Sequence, residues 1–280
     1  MEYKATQWLG LYFHTPLEWE IVRHGSKQDL GRLVFIDRRN QRMQLTWTAC
    51  SGKPDVTRIF EDYRSKDREQ YPECELSKAF RVAKWYGYHR TVDSKMVTRA
   101  AYFDKLYNRW LDVVLVWPDG YNQQTADLFF KSFKTVGSRN GVMTWQAFET
   151  HFTVPAQWRL TSTEIIPARC TFTFEQDKDQ LVVCRHAMAK AWFDGDLEKY
   201  VRSRSSYYRG SYSIGSVNNH EAAIFRGNER RLSIRWFAGN RYRRHALSWY
   251  CKAQEIVYSI ETRFVGRKPV DPQLVKLFCD

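Results

Sequence analysis

The chain has 280 residues, 43% hydrophobic and 16% aromatic, including 11 Trp, 16 Tyr and 17 Phe. So much large apolar material excludes an intrinsically disordered chain and suffices for about two domain cores. The formal net charge of +13 divides evenly, +6 over residues 1–140 and +7 over the rest, so no basic tail carries it. Such a balance favours acidic partners: nucleic acid, an anionic membrane or an acidic protein.

The opening Met-Glu-Tyr-Lys-Ala-Thr-Gln-Trp lacks the apolar segment and small-residue cleavage site of a signal peptide. No run approaches the ~18 apolar residues of a spanning helix, so a cytoplasmic location is expected. Residues 8–13 and 19–22 read as short strands around Phe13-His14-Thr15-Pro16-Leu17-Glu18-Trp19. Pro16 has a fixed φ and no N–H, which places it at a strand end. Trp19 reads as a core plug rather than a ligand-stacking ring. Residues 23–30 form a polar turn, 31–36 a strand, 37–41 a hairpin turn, and 42–49 the returning strand with period two. Asp55 caps a helix to about Arg68, with Val56, Ile59, Phe60 and Tyr63 on one face. Strands follow at 80–85 and 86–90. Residues 97–103 and 109–117 make a hairpin, and 113–117, apolar on both faces, read as a central strand. Residues 125–133 make a short amphipathic helix with Leu128, Phe129 and Phe133 inward.

The opening motif then recurs. Phe152-Thr153-Val154-Pro155-Ala156-Gln157-Trp158 matches it at a constant offset of 139 residues. The polar stretch Gly137-Ser138-Arg139-Asn140-Gly141 lies where a boundary belongs. The domains are therefore expected at 1–138 and 142–280, joined by 139–141. The second half repeats the order: strands at 145–152, 158–160, 170–175 and 180–185, a helix capped by Asp196, and a strand at 221–226. A hairpin of 232–237 with 243–250, an extended piece at 254–262, and a last helix starting at Asp271-Pro272 complete it, with Leu274, Leu277 and Phe278 apolar. Strands, one helix, more strands and a terminal helix in each half give an α+β class, with antiparallel sheets covered by helices.

This order resembles the PsbP-like family, which includes the photosystem II extrinsic subunit, the lipoprotein DcrB and a Ran-binding nuclear import factor. The residues that carry the resemblance are Phe13, Pro16 and Trp19, their counterparts Phe152, Pro155 and Trp158, the paired hairpins, and the closing segment 126–133. The second half lacks the final Ser-Phe of that segment. The resemblance implies two similar α/β/α sandwich domains acting as non-catalytic binding modules for other proteins, with no catalytic residues to carry over.

Few constellations point to chemistry. Cys184-Arg185-His186 is the only Cys close to a His, and on a strand the two share a face. The seven His are scattered, with no pair at i, i+4, so no metal site is expected. Asp194-Gly195-Asp196 reads as a helix cap rather than half a calcium loop. No phosphate-binding glycine motif occurs, and no cofactor is expected. The six cysteines (Cys50, Cys74, Cys170, Cys184, Cys251, Cys279) form no C-x-x-C pair and read as small buried hydrophobes in a reducing compartment.

Two turns are richly basic. Arg38, Arg39 and Arg42 top the first hairpin; Arg235, Trp236, Arg241, Tyr242, Arg243, Arg244 and His245 surround the last. Arg interleaved with aromatics suits protein interfaces and also phosphate contact with base stacking. The expected function is a non-enzymatic tandem-domain scaffold that binds an acidic protein partner. The alternatives are a nucleic-acid binder using the same turns, and a small-ligand or enzyme site in the interdomain cleft near Cys184 and His186.

Overall fold

Period-two alternation dominates the chain, and strands follow it throughout the computed structural model, which describes residues 2–206, 208–229, 242–265 and 271–279. Contacts divide the chain into two compact units: Met1–Gly137 with Gln146–Phe148, and Ser138–Trp145 with Glu149–Asp280.

The first unit opens with the hairpin β1 (Tyr3–Trp8) and β2 (Leu11–Pro16), followed by β3 (Glu20–His24), β4 (Leu30–Ile36) and β5 (Gln41–Ala49). Helix α1 (Val56–Gln70) comes next, then β6 (Glu75–Leu76), β7 (Phe80–Val82), β8 (Trp85–Val92), β9 (Lys95–Asp104) and β10 (Arg109–Trp117). Helix α2 (Gln123–Ser132) and β11 (Lys134–Thr135) end it. The large antiparallel sheet has the order β3-β4-β5-β10-β9-β8-β6, with β7 on β8, and β11 pairs with β2. β10 lies between β5 and β9, the central place its apolar sequence suggested. Phe13 of β2 packs on Phe35 and Phe129 and stacks on Phe133, while Phe60 of α1 covers the opposite sheet face against Tyr88, Ala101 and Trp110.

The second unit follows the same plan. Its elements are β12 (Val142–Ala147, whose last two residues fall in the first unit), β13 (Thr150–Pro155), β14 (Arg159–Ile166), β15 (Arg169–Gln176), β16 (Asp179–His186), α3 (Leu197–Arg204), β17 (Tyr208–Val217), β18 (His220–Glu229), β19 (Tyr242–Cys251), β20 (Ile256–Val265) and β21 (Lys276–Phe278). Its large sheet runs β14-β15-β16-β20-β19-β18-β17, and β21 pairs with β13. In both units three strands are laid down in order, the last strand joins the third, and the meander returns outward. The alternation of buried positions is identical in Tyr3–Trp8 and Val142–Ala147, and again in Leu11–Pro16 and Thr150–Pro155. After each proline the chain turns the same way: Trp19 N–H donates to the Pro16 carbonyl (3.1 Å) and Trp158 N–H to that of Pro155 (3.0 Å). Both indoles are buried.

Among the described residues strand exceeds helix, 56% to 15%, with three α-helices, so the protein is predominantly β. This overturns the expected α+β class and the helix-covered α/β/α sandwiches. The physical reason lies in particular segments. Residues 271–278 form a 3₁₀ turn, Pro272–Leu274, and then β21, where Leu277 is buried between exposed Lys276 and Phe278. Three residues of period-two burial outcompete a helix too short to propagate. β17 carries no apolar alternation in its Ser- and Gly-rich sequence, as an edge strand permits, and only Tyr208 and Tyr212 pack on the core. β19 pairs with β18 and β20, and the 232–237 arm of the expected hairpin lies outside the described residues. Among the described residues no helix is long and apolar enough to cross a membrane.

One buried ion pair braces the first unit. Arg109 Nε lies 2.9 Å from Asp104 Oδ2, both side chains fully buried, and Arg109 also donates to the Leu9 carbonyl (3.0 Å). Leu9 and Gly10 form the β1–β2 turn with φ of +48° and +74°. That left-handed pair suits a two-residue hairpin.

Candidate functional site

The first basic turn separates into two kinds of arginine. Asp37 accepts the Arg39 and Asn40 backbone N–H groups (both 2.7 Å), which closes the turn. Arg42 is half-buried, paired to Asp37 and to Asp119 (2.8 Å). Burial pulls the Asp37 carboxyl up, but the Arg39 and Asn40 N–H groups and Arg42 hold it below the usual range. Arg42 therefore fastens the turn, while Arg38 and Arg39 project into solvent.

The second basic cluster is split by strand alternation. Arg244 faces α3 and is only 5% exposed. It reaches Glu261 (2.6 Å), Ser205 Oγ (2.8 Å) and the Arg204 carbonyl, while Arg204 Nε contacts the other Glu261 oxygen at 2.9 Å. Burial raises the Glu261 carboxyl; Arg244 and Arg204 more than offset it and hold it ionised below its ordinary value. Arg263 lies over Tyr242, 3.8 Å from the ring centroid. Arg204, Arg244, Glu261 and Arg263, with Gln180, Val182 and Tyr208, line a cleft of about 380 Å³.

Arg243 faces the other way. It shares a groove of about 430 Å³ with Arg226 and His245, over Ile224 and Leu247, walled by Asp271, Pro272 and Gln273. Neither Arg226 nor Arg243 has a carboxylate within ion-pair distance among the described residues. Burial, then Arg226 and Arg243, push the His245 imidazole below its ordinary pKa against the pull of Asp271, so it is neutral at pH 7. The groove therefore offers two guanidinium groups beside an apolar floor. Arg235 and Arg241 lie outside the described residues.

The expected partner-binding set is thus redistributed. Arg42 and Arg244 are held by internal carboxylates, Tyr242 is covered by Arg263, and Arg38, Arg39 and Arg243 are presented outward. The alternation Arg243, His245, Leu247 along β19 sets His245 beside Arg243, and the pairing Arg226↔His245 brings Arg226 of β18, which the basic turn did not include, to the same face. Cys184 and His186 do share a face, but each is engaged elsewhere. Cys184 is fully buried against Thr171 Oγ1 (3.5 Å), and burial raises its thiol. His186 Nδ1 lies 3.1 Å from the Tyr200 hydroxyl; burial, then Arg204 and Arg169, lower it to about 4. A protonated thiol is the unreactive form of cysteine.

No family model matches the chain, and no curated protein does. Two solved structures of the immunity protein TplEi of T6SS from Pseudomonas aeruginosa align at length. The form complexed with "L" peptide has 9% identity and a TM-score of 0.36 over 90% of this chain and 89% of that one. The apo form has 10% identity and 0.35, over 91% and 90%. Overlap this shallow fixes neither fold nor function.

Proposed function

We propose that the chain is a non-enzymatic protein-binding module, built as two copies of one β design, that takes an acidic segment of a protein partner on its second unit. The observation that carries the reading is the groove holding Arg226 and Arg243. Arg226 and Arg243, with no carboxylate within ion-pair distance among the described residues, offer the forked donors that bind a carboxylate in bidentate fashion. The apolar floor of Ile224 and Leu247 suits a side chain adjacent to the acid. Arg38 and Arg39 add positive charge on the first unit. The matched strand order and burial alternation support the reading of two copies.

A nucleic-acid ligand is disfavoured by the aromatic rings. Tyr242, Tyr208, Tyr212, Tyr71 and Tyr63 each already lie against an arginine, which occupies faces a base would stack on. An array of peptides graded in Asp and Glu content tests the proposal. Selective retention of acidic peptides with an apolar neighbour is expected, abolished by R226E/R243E. Equal retention of neutral peptides, or a gel shift with single-stranded DNA as strong as any peptide signal, overturns it.

A further inference from the structure

We propose that His220, Cys251 and Cys279 form a binding site for a soft metal ion, zinc foremost, in the second unit. The fold gathers these residues from distant parts of the chain. β18 begins at His220 and β19 ends at Cys251. The pair Ala222↔Trp249 sets their register, so a step of two residues places His220 opposite Cys251 on the same sheet face. β21 pairs with β13 and delivers Cys279 immediately after Phe278.

His220 Nε2 lies 3.3 Å from Cys279 Sγ, and the three ligand atoms all lie within 4.8 Å of one another. A tetrahedral zinc ion with bonds of about 2.3 Å to sulfur and about 2.0 Å to nitrogen spaces its ligands roughly 3.5–3.8 Å apart. The set therefore closes around an ion with shifts of about an ångström. Two thiolates and an imidazole select zinc or monovalent copper over magnesium or calcium. Cys251 is buried, while His220 and Cys279 are half-buried, which leaves one side for a fourth ligand. Asn218 Nδ2 donates to the Leu277 carbonyl (2.6 Å) and lies 3.9 Å from Cys279 Sγ. It serves as an outer partner orienting that sulfur. Binding releases the thiol protons to solvent as the two Zn–S bonds form, and the ion ties β21 to the β18–β19 hairpin.

Cobalt(II) titration of the full chain, reduced and stripped with chelator, tests the site. One equivalent is expected to give thiolate-to-cobalt charge transfer and the intense visible bands of a tetrahedral centre, and zinc should displace it. Cys279→Ser and His220→Asn, both at half-buried positions, are each expected to weaken binding by more than the roughly 10–100-fold contributed by outer partners. Cys74→Ser should leave it unchanged. Weak octahedral bands, or undiminished affinity in both variants with native circular dichroism, overturn the proposal. So does a Cys251–Cys279 disulfide that forms in air even when zinc is present, because that pair then serves as a redox bridge.

Discussion

Arg109→Met should be the most damaging substitution in the first unit. Arg109 and Asp104 are 2.9 Å apart with neither side chain exposed. Removing the guanidinium leaves the carboxylate with the Leu106 N–H (3.0 Å) on its other oxygen, and strips the Leu9 carbonyl of its 3.0 Å donor. Leaving one member of a buried pair uncompensated costs about 3–5 kcal/mol, a large share of the roughly 5–15 kcal/mol that holds a domain together. Amide hydrogen exchange on the intact chain reads this unit by unit. β9 and β10 should exchange roughly 150- to 5,000-fold faster, with β19 and β20 as the unchanged internal reference. Asp104→Leu combined with Arg109→Met removes both charges and should recover most of the loss. An acceleration below about tenfold, equivalent to about 1.4 kcal/mol, would refute the reasoning, as would a double variant no better than the single one.

Other outcomes follow from single geometries. Gly10→Ala should lower the melting temperature of the first unit, because φ is +74° and a Cβ would sit 2.5 Å from Tyr107 Cε2; about 1–3 kcal/mol is expected, and an unchanged midpoint contradicts it. Arg244→Ala should destabilise the second unit by about 3 kcal/mol through Glu261, whereas R38E/R39E should stay within about 0.5 kcal/mol; comparable denaturation midpoints for the two would count against the division of the arginines. His186 is lowered from 6.5 to about 4, so the unfolded chain binds its proton more readily. The stability it contributes is present above pH 6.5 and is lost as pH falls through 4, at most about 3 kcal/mol. His186→Gln should flatten the pH dependence of second-unit exchange over that window, and parallel wild-type and variant profiles would exclude the assignment.

Much of the strand framework could be read because local rules act alone there. Pro16 and Pro155 end strands, Asp55 and Asp196 accept N–H groups from Arg58 and Lys199 at helix starts, and β10 is central as its apolar run implies. Reading failed where tertiary context decides. β17 survives on pairing with β18 alone, and β21 is a strand because Leu277 has a partner across from it on Phe152. The arginines taught the same lesson. Nothing near Arg42 in sequence announces Asp119, and nothing near Arg244 announces Glu261, yet these carboxylates remove both from the outward-facing set. The His220, Cys251 and Cys279 cluster exists only through sheet register, which no spacing rule within one segment can see.

The reading turns on Arg226 and Arg243, which have no carboxylate within ion-pair distance among the described residues, holding an acidic protein segment in the second unit. Its most direct measurement is fluorescence anisotropy of a labelled Asp/Glu-rich peptide, drawn from the array, against the intact wild-type chain and R226E/R243E at low and physiological salt. Saturable binding that weakens with salt and drops at least about tenfold in the variant, about 1.4 kcal/mol, is expected. Equal affinity for both proteins at low salt would contradict it.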